Sequence, residues 1–135
     1  MDYPTPIVSV DWLHDHLDDE TIRVVDCRFA LMDPTLGMRQ YQSGHIPGAV
    51  HLDLNRDLSS PVQQHGGRHP LPDVGALAKT LGRAGIQSRA IDNEASSPKA
   101  SFVVVYDDSR LAFSARLWWL LRYMGHDQVA LLDGG

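Results

Sequence analysis

The chain has one cysteine, Cys27, in 135 residues. A lone thiol excludes an internal disulfide, so the fold must rest on its hydrophobic core. No apolar run approaches the roughly 18 residues of a membrane span. The opening MDYPTPIV has neither a basic start nor a long apolar run, so no signal peptide is read there. Positive charge is also scarce: 12 Lys and Arg stand against 17 Asp and Glu, for a formal net charge of −5. That balance argues against nucleic acid or an anionic membrane as a partner. Together these absences place the protein, by default, in the cytoplasm. No internal repeat or low-complexity segment is seen.

Hydrophobic residues make up 43% of the chain and charged residues 21%, as in an ordinary globular protein. One domain spanning 1–135 is expected. Its centre is the stretch FVVVYDDSRLAFSARLWWLL, Phe102 to Leu121. Phe102 to Tyr106 is β-branched and aromatic without alternation, which suits a strand buried on both faces of a parallel sheet. Asp107, Asp108, Ser109, Arg110, Leu111 and Ala112 form a short loop. Phe113 to Met124 reads as a helix closed by Gly125. A buried strand, a tight loop and a helix start bring backbone N–H groups and the helix dipole to one spot, which favours an anion.

Elsewhere, Ser9 can cap a helix over Val10–Leu17 with Val10, Leu13 and Leu17 on one face. Ile22–Cys27 is a strand. Asp33-Pro34 and Gly37 break the chain, and a short helical turn covers Arg39–Gln42. Gly44-His45-Ile46-Pro47-Gly48-Ala49 is a turn, followed by a strand over Ala49–Leu52. Ser59–Pro72 is loop. Asp73 caps a helix through Ala84, with Leu77, Leu81 and Ala84 inward and Gly85 at its end. Gln87–Ser101 reads as a long surface loop. Val129–Leu132 is a last strand before the Asp133-Gly134-Gly135 turn. Strands alternating with helices predict an α/β fold with a mainly parallel central sheet and helices on both faces. The chain stops directly after a strand, so it looks truncated at the C-terminus. Leu117–Leu121 is apolar all round. That suits either a buried central helix or a face docked on another domain.

Several segments together resemble one family. They are Asp26-Cys27-Arg28, then Arg39 and Tyr41 ahead of GHIPGA, Arg68-His69-Pro70-Leu71-Pro72, and Val104-Val105-Tyr106-Asp107. Arg116-Leu117-Trp118-Trp119, Gly125-His126 and Leu132-Asp133-Gly134-Gly135 complete the series. The chain resembles the rhodanese family across nearly its whole length, and in particular the first half of tandem-domain thiosulfate or 3-mercaptopyruvate sulfurtransferases. The resemblance implies a chemistry. In active rhodanese domains a cysteine opens the loop after the central strand. Its thiolate takes a sulfane sulfur from an anionic donor and passes it on to cyanide or a thiol. The matching position here is Asp107, followed by Asp108. In tandem members the first domain commonly lacks the cysteine and the second carries it.

A carboxylate at Asp107 cannot form a persulfide. It also repels an anionic donor, by roughly 4 kcal/mol at 4 Å and an effective dielectric of 20. No catalytic residue is therefore expected in this chain. Asp107 is better read as accepting the loop's own N–H groups and stabilising the helix start. Cys27 lies at a strand end between Asp26 and Arg28, away from a helix N-terminus, and reads as a buried structural thiol. The loop also fails the phosphatase pattern, with Phe113 where an arginine would stand. His45 reads as a turn histidine. His14 and His16 diverge on a helix. His65 and His69 lack ligand-type neighbours, so no metal and no cofactor is expected. Arg110 and Arg116 suit solvated or interface roles, and Arg39 suits pairing with Asp26 or a neighbouring acid.

The leading expectation is the non-catalytic half of a sulfurtransferase. It would pack through the Trp118/Trp119 helix on a second rhodanese domain, and that domain would act on a small anionic sulfur donor. The alternative is a stand-alone inactive module that binds a protein. A third possibility is an enzyme of another class using Cys27.

Overall fold

A computed structural model describes residues 7–61, 69–86 and 101–133. Within them, five parallel strands form one sheet: β1 (Ile7–Val8), β2 (Ile22–Asp26), β3 (Val50–His51), β4 (Phe102–Tyr106) and β5 (Val129–Leu132), in the order β1-β5-β4-β2-β3. Four helices connect them: α1 (Val10–His16), α2 (Leu36–Ser43), α3 (Val74–Arg83) and α4 (Ser114–Tyr123). The α/β expectation with a parallel sheet holds, and β4 is buried along its whole length, as its unbroken apolar run requires.

Alternation along the strands divides the core. Val25, Val103 and Val105 face Leu77 and Leu81 of α3 and Leu117, Leu120 and Leu121 of α4. Ile22, Val24, Val104 and Ala130 face Leu13 of α1 on the other side. Helices thus cover both faces. Two helix starts behave as their sequences predict. Ser9 accepts from the Trp12 N–H at 3.0 Å, and Asp73 accepts from the Ala76 N–H at 2.9 Å. Gly85 and Gly125 leave α3 and α4 at φ of 84° and 89°, a region that glycine enters without steric cost.

The strand order also makes a crevice. The chain leaves β2 toward β3, but after β4 it moves the opposite way, to β5. The connections diverge between β2 and β4, at the carboxyl ends of the strands, where open α/β sheets hold their ligands.

Three expectations change, and one strand goes unread in the sequence. Val10 is exposed, so the inner face of α1 rests on Leu13, with Leu17 just past the helix end packed beside it. The two-residue β1 has no periodicity to read, yet it pairs with β5 as an edge strand. The strand expected over Ala49–Leu52 is only Val50–His51. Gly37 does not break the chain, because it lies inside α2, which is longer than the single turn expected. A Cβ there would sit 1.9 Å from the Arg28 carbonyl oxygen and 3.2 Å from the His51 ring. The helix closes on the end of β2 only because position 37 has no side chain. The readings of His65, Gly66, Gly67, Arg68, the 87–100 loop and Gly134-Gly135 lie outside the described residues.

Gly37→Ala is therefore expected to destabilise the fold by about 1–3 kcal/mol or more, measured by urea unfolding. An unchanged midpoint would show that α2 can move off Arg28 freely.

Candidate functional site

The crevice is built from the ends of β2 and β4. β4 ends at Tyr106, and Asp107 turns into the loop with only 1% of its surface exposed. Arg110 and Leu111 follow at φ of 56° and 68°. Consecutive non-glycine residues in the left-handed region are costly, so something must hold the turn. Asp107 does. Its Oδ1 accepts from the Ser109 and Leu111 N–H groups at 2.7 and 3.0 Å, and its Oδ2 accepts from Phe113 and Ser114 at 3.1 and 2.6 Å. A carboxylate is an acceptor only, with about four lone-pair sites, and here it meets four donors. The cradle expected from the strand–loop–helix pattern exists, and the chain's own side chain fills it. Asp108 points outward and accepts from Gln40 Nε2 at 3.2 Å.

Beside this loop, Asp26 ends β2 in register with Tyr106 and is fully buried. The Arg28 guanidinium grips it through Nε at 2.9 Å and Nη2 at 2.6 Å, and the Tyr106 hydroxyl donates to it at 3.1 Å. The hydrogen bond to Asp26 raises the already high pKa of Arg28. The Ile46 N–H donates to the Tyr106 oxygen at 3.3 Å, which ties the GHIPGA turn to the central strand. Burial first, then the negative charge of Asp26, push the Tyr106 phenol up to about 12.

Arg28 rather than Arg39 pairs with Asp26. Arg39 pairs with a neighbouring acid, Asp33. The adjacency Asp26-Cys27-Arg28 was the available signal, since residues two apart at a strand end share a side. The Tyr106–Asp26 contact spans 80 residues and leaves no local mark. Arg116 is half-buried and spans loops: it donates to the carbonyls of Leu58, His69 and Pro70 at 2.9–3.3 Å. Burial lowers its pKa. Arg110 is exposed.

His45 stacks on Tyr41 at 3.9 Å, with its Nδ1 2.8 Å from the Tyr41 carbonyl. His16 stacks on Trp12, and His69 meets Phe29 edge-on. Among the described residues no group of three His, Cys, Asp or Glu side chains could hold a metal ion, and no helix is long and apolar enough to cross a membrane. Cys27 is 1% exposed in the core. Burial, then Asp107, Asp26 and Asp57, raise its thiol pKa well above the ordinary value, so the thiolate is disfavoured. On α4 the two tryptophans part. Trp118 is half-buried with the Arg122 guanidinium 4.9 Å above its ring, whereas Trp119 is 45% exposed and stacks on Tyr123 at 5.1 Å.

Comparison with protein families matches residues 9–135 to the rhodanese-like domain. A probable 3-mercaptopyruvate sulfurtransferase of Pseudomonas aeruginosa is 47% identical over 96% of this chain and 42% of its own length. Thiosulfate/3-mercaptopyruvate sulfurtransferase 2 of Arabidopsis thaliana is 40% identical over 96% of this chain and 34% of its own length. Among solved structures, the 3-mercaptopyruvate sulfurtransferase of Leishmania major superposes with a TM-score of 0.82 at 29% identity, covering 99% of this chain and 34% of that one. The chain thus spans less than half the length of these relatives.

Two outcomes follow from the geometry. Asp107→Ala leaves four N–H groups unsatisfied and is expected to cost about 2–4 kcal/mol. Asp107→Asn, which turns an NH₂ toward two donors, is expected to cost less, but measurably, in denaturant unfolding. The second concerns alkaline pH. The folded pKa of Tyr106, about 12, exceeds its ordinary value of 10.0. Its contribution is therefore complete below pH 10.0 and lost as pH rises through about 12. Phenolate absorbance should show one tyrosine titrating last, and the alkaline fall in stability should be shallower in Tyr106→Phe. A late phenolate that persists in that variant would contradict the assignment.

Proposed function

The chain belongs to the rhodanese-like domain family, related to the 3-mercaptopyruvate sulfurtransferases, and on that premise we propose that it is the non-catalytic half of a sulfurtransferase whose reactive cysteine lies in another domain. The observation that carries this reading is the occupied cradle. Sulfur transfer through a rhodanese loop needs a thiolate at the loop's first position and free N–H groups to hold the anionic sulfur. Asp107 supplies neither, because a carboxylate carries no sulfane sulfur and all four of the donors it meets are spent on it. Cys27 offers no substitute, since it is enclosed and its proton is held tightly.

Three further points support a supporting role. The matched relatives are more than twice this chain's length. Their names carry thiosulfate and 3-mercaptopyruvate, so the whole protein would take sulfur from one of these small anions, in the cytoplasm. The exposed Trp119–Tyr123 stack on α4 offers an aromatic face for the catalytic domain. The same stack would serve a stand-alone module that binds another protein. The mass of the native polypeptide separates the two readings.

The decisive experiment exposes this chain to thiosulfate and to 3-mercaptopyruvate and weighs it. No gain of a sulfur atom and no turnover are expected, with Cys27 labelled by thiol reagents only as fast as the protein unfolds. A persulfide on Cys27, with turnover lost in Cys27→Ala, would overturn the proposal.

A further inference from the structure

The four donors that Asp107 meets are spent on it, but a second set of donors stands outside the loop. An open groove of about 440 Å³ is lined by Arg28, Leu36, Arg39, Gln40, Ser43 and Gly44. A guanidinium carries five N–H donors in a fixed fork. Arg28 spends Nε and Nη2 on Asp26 and donates from Nη2 to the Gly44 carbonyl at 2.7 Å. Its Nη1 has no partner among the described residues. Arg39 spends Nε on Thr35 Oγ1 at 3.2 Å and Nη2 on Asp33, and its Nη1 is likewise without a partner among them. None of the six lining residues is a carboxylate.

The acids that neutralise these arginines lie outside the lining. Asp26 pins the fork of Arg28 from the buried side, so the arginine is pre-organised and loses little freedom on binding a ligand. Gln40, which also lines the groove, leads to Asp108. With that carboxylate nearby and a formal net charge of −5, a multiply charged anion is disfavoured. A monoanion meets only half the repulsion a dianion does, and Leu36 gives its carbon chain an apolar wall.

We propose that this groove binds a short-chain carboxylate, whose oxygens accept from the free Nη1 groups of Arg28 and Arg39 while its carbon chain lies on Leu36. The site goes beyond the sulfurtransferase reading and does not depend on it, because it uses neither Asp107 nor Cys27. The carboxylate has two possible sources, a free small acid or an Asp or Glu side chain of a protein.

The test is a titration of the whole chain with sodium propionate, at ionic strength held constant with chloride, following the arginine side-chain NMR signals. Saturable shifts at Arg28 and Arg39 are expected, with sulfate binding more weakly. Arg39→Gln is expected to weaken propionate binding about tenfold and to move the melting midpoint by no more than about 2 °C. It is the informative variant, because changing Arg28 would strand Asp26. A peptide with one glutamate that binds tighter than propionate assigns the carboxylate to a protein. A weaker one assigns it to a free acid, and both uphold the site. The proposal is overturned if the shifts do not saturate, if sulfate binds as tightly as propionate, or if Arg39→Gln binds propionate unchanged.

Discussion

The structure depends on one buried carboxylate. Asp107 stands where the central strand becomes α4, pairs with no basic side chain among the described residues, and is held by four backbone N–H groups. Two of these donors belong to the loop, and two to the start of the helix. One side chain therefore both closes a strained turn and caps α4. It thereby sets the angle at which Leu117, Leu120 and Leu121 meet the sheet. An anion-seeking loop of this kind usually waits for a ligand. Here the acceptor is covalently attached, and four of the N–H groups are spent on it.

Around that centre, long-range polar contacts hold the carboxyl edge of the sheet. Asp26, Arg28 and Tyr106 join β2 to β4 and, through Ile46, to the turn before β3. Arg116 reaches from α4 to three carbonyls of the loop after β3. Such contacts add little where solvent is present, but breaking one where it is excluded is expensive. These contacts cross-link the carboxyl edge of the sheet at several points.

Much of this was legible in the chain. The unbroken Phe102–Tyr106 run gave β4 and its central place, because a strand buried on both faces needs no polar alternation. Ser9, Asp73, Gly85 and Gly125 marked helix ends, because capping is local chemistry. Asp107 at the first loop position announced a filled cradle. Other features were not legible. β1 is too short to show a period. Gly37 resembles a breaker until the Arg28 carbonyl is seen to occupy its Cβ position. Asp26 has two candidate arginines, and only the path of the chain after β2 decides between them. The LWWLL segment divides into a half-buried Trp118 and an exposed Trp119, a division set by the helix's rotation on the sheet.

What the sequence alone determined is what nearest neighbours enforce: strand and helix identities, their caps, the acid at the mouth of the loop, and a single thiol with no disulfide partner. What only the tertiary structure decided is which distant groups meet. The Tyr106 hydroxyl on Asp26, Arg116 on three carbonyls and two half-used arginines on one groove all depend on strand order and register. Those are global properties of packing, and no run of consecutive residues encodes them.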